Sequence, residues 1–149
     1  MPPADFQEYT KHDSAAAKSA SALARTYAEE LLKLADKLPN DPNRGTAIFA
    51  GHVTLGVLEL RDNNLASALK HMEAAGNAPA SEELKYGSRF DWSRLAVQML
   101  KWGERESVVR FLERFASISE SQRERLMTDV VQIRAGRMPS FYQSQTVPH

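Results

Sequence analysis

Apolar residues recur every three or four positions along most of the chain, the signature of amphipathic helices. Leu23, Tyr27, Leu31, Leu34 and Leu38 form the first such stripe, on a helix that Ser14 caps and that the Pro39-Asn40-Asp41-Pro42-Asn43 run ends. Residues 44–61 predict a second helix, apolar on more than one face and therefore central, with Ile48, Val53, Leu55, Val57, Leu58 and Leu60. Asp62-Asn63-Asn64 reads as a tight turn. A third helix follows over 65–75, with Leu65, Ala68, Leu69 and Met72 on one side and Gly76-Asn77 as a left-handed cap. The connection 78–88 has room for one short helical turn at 81–84. Asp91 caps a fourth helix carrying Trp92, Leu95, Ala96, Met99 and Leu100, which Gly103 ends. A fifth spans 104–116 with Val108, Phe111, Leu112 and Phe115. A sixth opens at Ser119, carries Leu126, Val130 and Ile133, and closes at Gly136. No segment alternates apolar and polar residues as a half-buried strand does. The pattern therefore predicts an all-α fold of about six helices joined by short turns, stacked as antiparallel hairpins. Residues 14–136 form the domain. Residues 1–13 read as a flexible arm and 137–149 as a mostly irregular tail.

The chain also repeats itself. Gly56 and Ala96 lie 40 residues apart, as do Ala68 and Val108, so each copy places its small first-helix residue twelve positions before a small or branched second-helix residue. That spacing marks a close helix crossing in each hairpin. Trp92 stands at a first-helix aromatic position, with Trp102 nearer an edge. Tyr27, Ala28, Leu32 and Ala35 match the second helix of a preceding unit that lacks its first. On these residues the chain resembles a tetratricopeptide-like helical array, and short bacterial proteins with such repeats. The period is longer than the usual ~34 residues, with the extra length in 76–88, and His52 stands where the first full unit would carry an aromatic. The resemblance implies a scaffold for binding and carries no activity with it.

Composition narrows the chemistry. Lys plus Arg and Asp plus Glu number 19 each, so no net charge draws the chain toward nucleic acid or anionic lipid. The Arg-rich C-terminal third is interleaved with Glu104, Glu106, Glu113, Glu120 and Glu124, as on a solvated face laced with ion pairs. No cysteine is present, which excludes disulfides, thiolate nucleophiles and Cys-based zinc sites. His52 and His71 sit on different helices with no ligand at the i+4 spacing of a helical metal pair. His52 reads as a half-buried packing residue and His71 as solvated. Neither a phosphate-cradling glycine loop nor a Gly-x-Ser-x-Gly elbow occurs. The sequence thus predicts no catalytic residues, metal or cofactor. No apolar run is long enough to span a bilayer. Residues 1–13 lack the layout of a signal peptide, which favours the cytoplasm, although a signal removed upstream would leave no trace.

By register, the inner face of the array is lined by Val53, Val57 and Leu60 in one unit, and by Phe90, Arg94, Val97, Leu100 and Lys101 in the next. This face is mostly apolar and calls for a cover. Val57 and Val97 stand where carboxylate-gripping arrays place Asn, so a peptide-carboxylate clamp is not expected. The leading expectation is a non-enzymatic protein-interaction module that takes a partner peptide or helix in this apolar groove. Two alternatives stay open. One is a structural or oligomerisation domain whose groove is filled by itself or by a second copy, as in a homodimer. The other is an enzyme or small-ligand carrier with an unrecognised pocket. Within the chain, Met138, Phe141 and Tyr142 are candidates to dock back as the cover.

Overall fold

A computed structural model of the chain describes residues 15–87 and 91–142. Among these it contains helices and turns and no strand, so the protein is all-helical. The elements are α1 (Ala15–Lys37), α2 (Arg44–Arg61), α3 (Leu65–Gly76), α4 (Glu82–Tyr86), α5 (Ser93–Lys101), α6 (Arg105–Ile118) and α7 (Arg123–Arg134). A further helical turn covers 140–142. The expected arm at 1–13 lies outside the described residues.

Local chemistry accounts for most boundaries. Ser81 starts α4 by accepting the Leu84 N–H on its hydroxyl, at 3.2 Å. Asp91 accepts both the backbone N–H and the hydroxyl of Ser93 and so sets the start of α5. Asn63 (φ 62°), Gly103 (φ 86°) and Gly136 (φ 78°) supply the left-handed residues that reverse the chain. Two expectations fail. Asn77 caps α3 at φ −91°, so this helix does not end in a left-handed cap. Ser119 does not open the last helix. It is buried as the C-cap of α6, and α7 begins only at Arg123 after a turn at 120–122.

Helix α2 packs against α1, α3, α4 and α5, and α6 packs against α3, α5 and α7. The core accordingly sits between α2, α3, α5 and α6. Its aromatic centre joins Phe49 of α2 to Phe115 of α6 edge-on, with centroids 5.0 Å apart. Trp92 lies between Phe115 at 5.6 Å and Phe141 at 5.2 Å. Trp92 is buried, whereas Trp102 is half-buried against the rim of the core. The repeat positions Ala68, Ala96 and Val108 are fully buried. A Cβ on Gly56 would meet the Leu95 methyls at 3.1 and 3.2 Å and His71 Cβ at 3.6 Å, so this glycine admits α5 as closely as α3.

Residues 137–142, the described part of the expected tail, are less irregular than their composition suggests. Asp129, buried on α7, accepts the Ser140 backbone N–H at 2.8 Å and the Ser140 hydroxyl at 2.9 Å. This clamp starts the 140–142 turn and delivers Phe141 to Trp92. Asp129→Ala leaves two donors without their acceptor. It is expected to cost about 1–3 kcal/mol and to red-shift tryptophan emission, whereas Asp129→Asn keeps an acceptor and loses less. Urea titration followed by fluorescence checks both.

Candidate functional site

The face expected to bind a partner is used to build the fold. Val53, Leu60 and Val97 are buried in the core, and Val57 and Leu100 are partly buried against it. Lys101 is half-buried, Arg94 is exposed, and Phe90 lies outside the described residues. The physical reason is the crowding of α2. With four helices around it, and α5 and α6 closing the next pair, the first-helix faces meet each other rather than a concave opening. Of the three tail residues offered as a cover, Phe141 and Tyr142 do dock, but Phe141 does so on Trp92, and Met138 stays exposed.

A row of exposed apolar side chains lies instead on α1. Leu23 is 72% exposed, Tyr27 65%, Leu34 51% and Leu38 45%. These are residues of the predicted amphipathic stripe, turned to the outside. Small side chains explain the reversal. Ala28 and Ala35 are the buried positions of α1, and Leu32 lies over Gly51, where a Cβ would stand 2.9 Å from its side chain. Thus α1 seats its alanine edge on α2 and leaves its leucine edge free. Arg25 fixes this rotation by bonding Glu59 at 2.8 Å and Asp62 at 3.4 Å.

A groove of about 660 Å³ runs beside this edge. Tyr27, Leu31, Leu34 and Leu38 form one wall, Ala47, Ala50 and Thr54 of α2 the other, and Asp41, Arg44 and Glu83 lie at the rim. Arg44 is held by the Ala35 carbonyl, to which its Nε donates at 3.2 Å. The lining is therefore chiefly apolar with charge at one end, suited to side chains of a peptide or helix. A smaller cleft of about 160 Å³ lies between α3 and α6, with Lys70, Glu73, Arg110 and Arg114 around Met72 and Phe111.

One polar cluster joins α2 to α3. His52 Nδ1 and His71 Nδ1 share a hydrogen bond at 3.0 Å, so His71 is not a freely solvated residue. Burial lowers the pKa of His52, and the charge of His71 adds to this while Asp36 opposes it. Burial likewise lowers the pKa of His71, with Glu59 opposing and Arg25 reinforcing. At Glu59 burial disfavours the carboxylate, but hydrogen bonds from Arg25 and Asn64 outweigh it and hold the pKa below the ordinary range. No group of three or more His, Cys, Asp or Glu side chains among the described residues is arranged to hold a metal ion.

The histidine pair gives a signed pH dependence. The folded state holds both rings neutral longer than the unfolded chain does. The pair's contribution is therefore complete above the unfolded value of about 6.5 and declines as pH falls from there through the lowered folded values. Glu59 adds a loss of the same sign at more acidic pH. The melting temperature is expected to start falling below pH ~6.5, and His71→Gln is expected to flatten that first decline. Calorimetry across the range checks it; a melting temperature that rises as pH falls through this window contradicts the assignment.

No described helix is long and apolar enough to cross a membrane. Comparison of the chain with protein-family models, with curated proteins and with solved structures finds no match to any of them.

Proposed function

We propose that the chain is a non-enzymatic protein-interaction module, a short tetratricopeptide-like array whose working surface is the apolar groove between α1 and α2. The observation that carries this reading is the exposed edge Leu23, Tyr27, Leu34 and Leu38 beside a groove walled by alanines. Covering one such side chain fully is worth about 1.5–3 kcal/mol, so several in line form a strong driving force for association. The ligand class is a protein or peptide, with an amphipathic helix the best fit to a groove this long. The array reading is supported by the packing of α2 on α3 and α5 on α6, with α2 against α5 and α3 against α6 between the pairs. It is supported further by the buried repeat positions Ala68, Ala96 and Val108. In this account α1 is the second helix of a unit without a first, and the groove is the place that helix would fill.

Site-specific photo-cross-linking tests the reading. A benzophenone amino acid in place of Leu34 is expected to capture a polypeptide in cell extract, and the same probe in place of Val131, exposed on α7, is not. Equal capture at both positions, or none at position 34, contradicts it.

A further inference from the structure

On that reading of the groove, we infer that its occupant is α1 of a second copy of this chain, paired antiparallel. Tyr27, Leu31, Leu34 and Leu38 are spaced four, three and four residues apart, and Ala24 and Ala20 continue the series toward the N-terminus. These are the core positions of a heptad seam. The seam is complementary to itself when the helices run in opposite directions: Leu31 packs against Leu34 of the partner subunit and Tyr27 against Leu38 of the partner subunit, and the two-fold axis repeats each contact. Glu30 and Lys37 are exposed along the flank of the seam that faces away from α2. In the same antiparallel register Glu30 falls beside Lys37 of the partner subunit, twice. A parallel pairing in register would instead set the Glu30 and Lys37 flank against the flank of Ala35, which is buried, so neither charge would meet an opposite one and the flanking charges select the antiparallel arrangement. A formal net charge of zero adds no long-range repulsion between copies. The paired stretch from Tyr27 to Leu38 spans about 17 Å of helix at ~1.5 Å per residue. That is a small contact, so association is expected to be reversible and concentration-dependent.

Charge reversal tests both the occupant and the register. Sedimentation equilibrium of the full chain at low ionic strength is expected to show a monomer–dimer equilibrium. Glu30→Lys alone and Lys37→Glu alone each turn two attractive pairs into two repulsive ones and are expected to raise Kd about tenfold. Mixing the two variants creates only opposite-charge pairs and is expected to restore wild-type affinity as a heterodimer. All substituted positions are exposed, so the helical signal should not change. A full chain that stays monomeric at every concentration overturns the inference. So does dimerisation that appears only after deletion of residues 1–14, which would make that segment the cover, and so does a mixture no tighter than its components. The groove's broader role is judged separately: a monomeric chain whose position-34 probe still captures a different polypeptide loses the second copy as occupant and keeps the interaction surface.

Discussion

Trp92→Ala is expected to lower stability by roughly 3–5 kcal/mol, the usual cost of emptying a buried indole site, and so to remove a large part of the ~5–15 kcal/mol that holds an ordinary domain together. Trp92 stands just before α5, and its ring touches Phe111 and Phe115 of α6 as well as Phe141 from the C-terminal turn. Its removal therefore costs the contact between α5 and α6 and the seat of Phe141 together. Phe115 cannot collapse into the space without losing its edge-on geometry with Phe49, nor Phe111 without losing its stacking on the same ring. Trp102→Ala is expected to cost less, because Trp102 is only half-buried against the rim of the core. Urea unfolding of the two variants followed by circular dichroism gives the comparison. A milder loss at position 92 than at 102 would place the second hairpin out of phase.

Gly45→Ala should be nearly as damaging, and with a sign opposite to the usual one. Replacing a glycine inside a helix by alanine ordinarily stabilises by about 0.5–1 kcal/mol. Here the added Cβ would overlap the carbonyl oxygen of Pro79 and lie 2.9 Å from its carbon. Both atoms are backbone, so no rotamer change relieves the clash. The segment cannot retreat freely either. Ser81, two residues on, bonds Thr46 at 2.7 Å, caps α4 and so holds the fully buried Leu84 in place. The expected loss is at or beyond the top of the about 1–3 kcal/mol range for overpacking. Gly76→Ala is the control. It is also helical, but a Cβ there meets nothing nearer than 3.6 Å, so a neutral or stabilising effect is expected. Thermal melting of both variants decides; equal effects would mean that the α2–Pro79 approach is looser than described.

The helices were legible in the sequence because their signals are local. Ser81, Asp91, Gly103 and Gly136 mark ends by hydrogen bonding or by left-handed backbone, and each does so in the structure. The central place of α2 followed from its having no polar face. What the stripe on α1 could not reveal is which edge faces inward. Leucines at 3–4 spacing usually mark the buried side, yet the buried positions of α1 are Ala28 and Ala35, and Gly51 takes the Leu32 side chain and the Ala28 carbonyl in close contact, which orients the helix. The information was present as a small-residue edge matched to a glycine on the next helix, a pairing visible only once the two are placed together. The inner-face assignment of Val53, Leu60 and Val97 failed for a related reason. It assumed an open concave side, whereas α2 is surrounded by α1, α3, α4 and α5 and these three side chains are buried. The role of Asp129 had no sequence signal, since its partner Ser140 lies beyond a turn and a proline.

These two surfaces, the α1 edge and the buried α2–α5 face, can be set against each other in one measurement: thermal unfolding of Leu34→Asp and Val97→Asp beside the wild type in dilute solution. If the free surface is the α1 edge, Leu34→Asp keeps the helical signal and a cooperative melt, because its carboxylate remains in water. Val97→Asp forces an unpaired charge into the core and abolishes the cooperative transition. The reverse pattern, a well-folded Val97→Asp and an unfolded Leu34→Asp, would return the working surface to the α2–α5 face and contradict the account.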